Sequence, residues 1–233
     1  SISAGEALAQ FRAVQAHPAT ILTLVGIVVL SYSAYVKGLP AEAAITVLML
    51  IIGFAWYALS PRKVDVLDGL GSTMLTFIWI GVLGSYAMLL AAPRSFPNRH
   101  GMALLAGAVV ITILNDTGAL FIGRWIGRRP LVAMSPNKTR EGFIGGALIT
   151  IIGSAIILPH MSPWTTLHAV EVALVLSFVV PMGDLFESLI KRTLGIKDMG
   201  RVLPGMGGLL DRVDGLLFAM PAMYYLAHVL HLG

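Results

Sequence analysis

The chain has 233 residues, 57% of them hydrophobic and 12% charged, with a mean hydropathy of +0.84. That composition excludes a soluble domain of this length and indicates an integral membrane protein. A net charge of +4 would suit nucleic acid, but the placement of the basic residues accounts for it by membrane topology, so no nucleic-acid partner is expected; the absence of cysteine excludes disulfides and thiolate ligands.

In chain order, residues 1–17 lack a basic n-region and do not read as a signal peptide. Ser3-x-x-Glu6 followed by Leu8, Phe11 and Val14 reads as a capped, weakly amphipathic helix lying on the membrane. The chain does not begin with Met, which is compatible with a segment upstream of this sequence. Seven apolar runs follow, at roughly 19–36, 42–59, 70–91, 102–122, 142–159, 169–187 and 210–230. Each approaches the ~20 residues a spanning helix needs, and no strand-like alternation is present. The fold class expected is therefore all-α, a polytopic bundle of about seven transmembrane helices. It forms a single membrane domain, 1–233, with scaffold helices in 1–100 and catalytic helices and loops in 101–233.

With the N-terminus in the cytosol, thirteen of the sixteen Lys and Arg residues fall in cytosolic segments, leaving only Lys37, Arg94 and Arg99 outside. The positive-inside bias thus puts the two charged loops, 123–141 and 188–209, on the cytosolic side of the cell membrane. His160, His168, His228, His231 and Glu171 lie in or near outside segments without metal-ligand spacing and read as solvated. Trp56, Trp79, Trp125 and Trp164 read as interface anchors or packing residues.

Candidate chemistry is confined to the second half. Asn115 and Asp116 sit inside the fourth apolar run, where an acid is expensive and ordinarily faces a polar cavity. The loop Ser135-Pro136-Asn137-Lys138-Thr139-Arg140-Glu141-Gly142 offers hydroxyls and a lysine for phosphate; it is not a Walker A loop, because G-x-x-x-x-G-K-[ST] is absent. Asp184, Glu187, Ser188 and Lys191, at i, i+3, i+4 and i+7, form one polar stripe on a helix. Asp211 and Asp214 repeat the i, i+3 spacing at the start of the seventh apolar run. These acids can pair with Lys191, Arg192 and Arg212 as interfacial salt bridges, or offer the oxygen ligands that suit Mg²⁺. Between them, Pro204-Gly205-Met206-Gly207-Gly208 is either a tight turn or, beside Lys197, Arg201 and Arg212, a backbone cradle for phosphate at a helix N-terminus.

The order Ser188, Lys191-Arg192, Lys197-Asp198, Pro-Gly-x-Gly-Gly, Asp211-Arg212-x-Asp214 resembles the signature of the phosphatidate cytidylyltransferases, or CDP-diacylglycerol synthases. The Ser135-Pro-x-Lys138-Thr139-x-x-Gly142 stretch after an Asp-containing helix also matches that family. The resemblance runs from about Asn115 to Asp214. It implies a membrane enzyme, commonly a homodimer embedded among membrane lipids, that converts CTP and phosphatidic acid into CDP-diacylglycerol and pyrophosphate with Mg²⁺; a second, monovalent cation is a further candidate.

Carried across, the resemblance makes Asp184 and Asp211 the metal-binding acids, supported by Asp214, Lys191 and Lys197. Ser135, Lys138 and Thr139 become phosphate-binding residues. Asn115, Asp116, Ser188, Arg201, Gly205, Gly207, Gly208 and Arg212 complete the substrate-binding set. Two departures stand out: Met206 occupies the position where the family usually has histidine, and members often have more than seven spans. The alternatives are a CTP-dependent kinase of polyprenol or phytol and a catalytically silent lipid-binding relative. A transporter is a third class, but no inverted repeat is visible.

Overall fold

A computed structural model describes residues 2–60, 65–96, 100–132, 135–200 and 207–232, almost entirely as helices. These are α1 (Ile2–Ala13), α2 (Thr20–Lys37), α3 (Leu39–Ala58), α4 (Val66–Thr76), α5 (Leu83–Ala91), α6 (His100–Ile126), α7 (Arg140–Ile157), α8 (Thr166–Thr193) and α9 (Leu210–Val229). α4 and α5 are one rod joined by a π-helical segment, Phe77–Val82. The protein is all-α and polytopic as expected, but six described helices, not seven, are long and apolar enough to cross a membrane. The remaining run forms α9, which is long enough at 20 residues but carries Asp211, Arg212 and Asp214 in its opening turns.

The chain divides into two compact units: Ser1–Ala92 with Thr193–Val213, and Pro93–Arg192 with Asp214–Gly233. The charged loop after α8 therefore belongs with the N-terminal helices that the sequence read as scaffold.

In the first unit, Gly38 ends α2 with a left-handed φ of 78° and its N–H returns to the Ala34 carbonyl at 3.0 Å. Pro40 then falls in the first turn of α3, where its missing N–H costs nothing. A polar relay holds the helix ends: the Tyr57 hydroxyl donates to the His17 carbonyl at 3.0 Å, Thr73 bonds Tyr57 at 2.9 Å, and the Ala19 N–H donates to Thr73 at 2.9 Å. The reading of Ser3-x-x-Glu6 as a local cap of α1 is corrected. Ser3 lies within the helix and does not cap it, and Ser3, Ala4, Glu6, Ala7, Leu8 and Phe11 are buried.

In the second unit, α6 and α7 approach very closely because glycines face the contact. A Cβ at Gly146 would stand 3.0 Å from the Ala119 nitrogen, and one at Gly142 would stand 2.8 Å from the Ala119 carbonyl oxygen. This is small-residue packing of the kind that brings membrane helices together where apolar burial gives no driving force. A short antiparallel hairpin, β1 (Pro130–Val132) with β2 (Ser135–Thr139), links the two helices. Trp164 lies over Gly107 and donates its indole N–H to the Ala103 carbonyl at 3.3 Å, a packing role; Trp79 is buried too, whereas Trp56 and Trp125 are exposed.

Replacing Gly145 tests the crossing, since a Cβ there would stand 2.7 Å from the Ile122 Cβ. Gly145→Leu is expected to cost about 1–3 kcal/mol by overpacking, read as a lower unfolding temperature in detergent. An unchanged temperature would contradict the close approach.

Candidate functional site

The α6–α7 crossing and the hairpin enclose a cavity of about 300 Å³ within the second unit. Its wall is formed by Asn115, Asp116, Ala119 and Leu120 from α6, Leu131 from β1, and Asn137, Lys138 and Thr139 from β2. Gly142 and Phe143 from α7 and Pro181 and Asp184 from α8 complete it. Half of this lining is polar and half apolar, and the volume is at the lower end of the roughly 300–1,000 Å³ usual for small-molecule sites.

Several polar groups around the cavity are fixed for a local reason. Asn115 is buried and donates from its amide to the Thr150 hydroxyl at 3.3 Å and to the Ser177 carbonyl at 3.5 Å, tying α6 to α7 and α8. Thr139 is the N-cap of α7, its hydroxyl accepting the Gly142 N–H at 3.1 Å. Glu141, which the sequence reading did not single out, accepts the backbone N–H groups of Arg128 and Arg129 at 3.1 and 3.3 Å, so it closes the base of the hairpin. The α7 N-terminus beside Thr139 and Gly142 brings a positive dipole end to the cavity wall.

Lys138 and Asp184 meet across the cavity at 2.5 Å. Around them the acids accumulate: Asp116 interacts electrostatically with Asp214, Asp184 and Lys138, and Asp214 interacts with Glu187, Asp184 and Lys191. Glu187 is buried and its carboxylate lies 3.6 Å from the Lys191 ammonium. Four carboxyl groups thus share two lysines. Among the described residues, no group of three or more acids or histidines converges closely enough to hold a metal alone. An oxygen-only, partial donor set is what Mg²⁺ accepts, because it retains waters and completes its shell with substrate phosphates. Asp184 and Asp116 are the residues that could hold it here.

The first unit contains a second acidic arrangement. Asp211, near the start of α9, accepts the Met199 N–H at 3.1 Å and the Gly208 N–H at 2.7 Å. Glu6 accepts the N–H groups of Leu209 and Leu210 at 3.1 and 3.0 Å. The backbone donors expected to cradle phosphate at Gly208 and the α9 start are thus taken by the protein's own carboxylates. Gly207 has φ +85°, and a side chain there would stand 3.1 Å from an Asp211 carboxylate oxygen, so the turn itself requires glycine.

Of the residues nominated from sequence, Asn115, Asp116, Lys138, Thr139 and Asp184 share the cavity. Ser135 lies on β2, paired with Val132. Ser188 and Lys191 continue the α8 stripe outside the cavity lining, with Glu187 as the buried member between them. Lys197 and Arg212 are exposed in the first unit, and Gly207 and Gly208 are held as described. Arg201, Gly205 and Met206 lie outside the described residues. Ala119, Leu120, Leu131, Asn137, Phe143 and Pro181 were missed; position in or beside the motif loop, or one turn from Asp116 or Asp184, was the signal available for all but Leu131.

Comparison with known proteins places these features in a family. The profile of the Cytidylyltransferase family matches residues 2–230. The chain is 36% identical over 172 residues to a phosphatidate cytidylyltransferase of Bacillus subtilis, covering 73% of this chain and 62% of that protein. It is 34% identical over 212 residues to the phosphatidate cytidylyltransferase of Helicobacter pylori strain J99, covering 88% and 73%. A Mycobacterium leprae phosphatidate cytidylyltransferase is 39% identical over 166 residues, 67% of this chain and 49% of that protein. The chain thus spans about half to three quarters of the length of these relatives.

The Thr139 cap can be tested without a ligand. Thr139→Val is expected to cost about 1 kcal/mol and to speed amide hydrogen exchange across residues 140–146, while Thr139→Ser retains protection. Equal protection in the valine variant would contradict the cap.

Proposed function

The chain belongs to the cytidylyltransferase family, and on that premise we propose that it transfers a cytidylyl group from CTP to phosphatidic acid, yielding CDP-diacylglycerol and pyrophosphate. The observation that carries the proposal is the cavity in which Lys138 and Asp184 neutralise one another beside Asp116. A multi-pass protein handling two polyanions needs a lysine for phosphate and carboxylates for a cation in one place. The half-apolar wall, with Leu120, Leu131 and Phe143, suits a lipid headgroup that keeps its glycerol end against hydrocarbon.

In this reading a phosphatidate oxygen, already anionic, forms the bond to the α-phosphorus of CTP as the bond from that phosphorus to the bridging oxygen breaks. Pyrophosphate leaves with the electron pair, so no protein nucleophile is required. The residues contribute alignment and electrostatics. Lys138 turns from Asp184 to the phosphate oxygens and holds them against their mutual repulsion. Asp184, relieved of its lysine, becomes with Asp116 available to Mg²⁺, which when bound would neutralise the phosphates. Asp214 and Glu187 hold Lys191 in the same electrostatic neighbourhood. Ser135 and Thr139 supply hydroxyl donors from the hairpin, and Asn115 keeps the three helices that carry these groups in register. On the resemblance alone, Asp211 in the first unit is also proposed as a metal-binding acid.

The positive-inside distribution supports placing the protein in the cytoplasmic membrane with the hairpin facing the cytosol, where CTP is available. The homodimer implied by the resemblance is part of the proposal. The family match does not favour γ-phosphate transfer to a lipid alcohol.

Purified protein in mixed micelles with phosphatidic acid and Mg²⁺ should carry the label of α-labelled CTP into lipid and release that of γ-labelled CTP as pyrophosphate. Label from the γ-position on an added polyprenol, or none on lipid, would overturn the reading. Asp184→Asn should lower turnover by about 10²–10³-fold, the usual scale for removing one electrostatic contact at a reacting phosphate, and near-normal turnover would remove Asp184 from the mechanism.

A further inference from the structure

We infer that Glu6 is a positioning residue that fixes the first turn of α9, and through it Asp211, for the proposed cytidylyl transfer. This inference rests on the preceding reading of the reaction. α9 starts at Leu210 after Leu209, and a leucine has no side-chain oxygen with which to cap the helix. Glu6 supplies the cap from the other end of the sequence: one carboxylate oxygen accepts the Leu209 N–H at 3.1 Å and the other the Leu210 N–H at 3.0 Å. Glu6 is buried, only 8% exposed as a residue, which limits competition from water for those amides.

The same helix grips the other limb of the loop. Gln10, one turn after Glu6, donates its amide to the Met199 carbonyl at 3.0 Å. Met199 in turn donates its N–H to Asp211, which also receives the Gly208 N–H. Gly200 and Gly208 both lie directly against the Glu6 carboxylate, where neither could carry a Cβ without displacing it. A buried charge, an amide and two glycines therefore converge from α1, residues 199–200 and residues 208–210 to orient one acid. Packing alone would not need a carboxylate at Glu6. A helix start without its own cap does.

Glu6→Gln keeps the shape but turns an N–H donor toward backbone N–H groups, and Glu6→Asp keeps the charge on a shorter arm. In the full-length protein, Glu6→Gln should speed hydrogen exchange of the peptide 207–213 by about tenfold or more. Exchange in α2 and α3 should remain as in the parent protein. It should also lower kcat by about tenfold or more with KM for CTP within about threefold, and Glu6→Asp should recover part of both effects. Unchanged exchange at 207–213 would overturn the inference. So would faster exchange throughout the first unit, which would mark Glu6 as a general folding residue, or local loosening with normal kcat. Should the parent protein transfer no cytidylyl group, the functional reading fails on its own evidence, the reaction role of Glu6 falls with it, and the exchange data still decide whether Glu6 holds α9.

Discussion

A lysine and an aspartate brought into contact on a cavity wall lose part of their hydration, a cost that their mutual attraction offsets only if geometry is good and further polar groups surround them. The Lys138–Asp184 pair meets that condition by lying on the wall of a cavity, 22% and 40% exposed, with Asp116 close by. It is held but not sealed. In the proposed function the pair would part when anionic substrates arrive, Lys138 turning to phosphate and Asp184 to a cation.

The rest of the second unit follows from placing that pair. Lys138 can reach α8 only because β2 leads straight into α7 and α7 lies against α6 without intervening side chains, which is what Gly142 and Gly146 permit. Polar loops at the membrane surface have few apolar contacts to hold them, and one device recurs in both units: a side-chain oxygen accepts backbone N–H groups at a helix start or loop base. Asp65 does so for α4, Thr139 for α7, Glu141 for the hairpin, and Glu6 for α9, with Asp211 fastening the loop that leads into it. The bonds at helix starts satisfy donors that the first turn leaves open, and those at Glu141 and Asp211 hold loop backbone.

Much of this was legible in the sequence. Long apolar runs define membrane helices almost by themselves, and a polar residue inside one is conspicuous, which is why Asp116, Asp184 and the Lys138 loop were found and do share a cavity. The motif order also indicated the family. What the sequence hid is tertiary. Glu6 looked like part of a local capping box because three-residue spacing is visible and a partner 203 positions away is not. The hairpin escaped notice because strands of three and five residues in a basic loop carry too little alternation to register. Six described helices, not seven, are long and apolar enough to span because charges at the head of α9 shorten its apolar stretch. The glycines of Pro-Gly-x-Gly-Gly were read as opening backbone to phosphate; in the structure Gly208 makes room for carboxylates that occupy the donors first.

In the proposed function the cavity between α6, α7 and α8 is where phosphates are handled, by a lysine released from its aspartate. A structure determined with CTP, a phosphatidic acid analogue and Mg²⁺ bound tests it most directly. The account predicts nucleotide phosphate within the wall formed by Asn115, Asp116, Lys138 and Asp184, with the Lys138 ammonium on phosphate and the Asp184 carboxylate turned toward the metal. Nucleotide bound elsewhere, with Lys138 and Asp184 still paired, would contradict it.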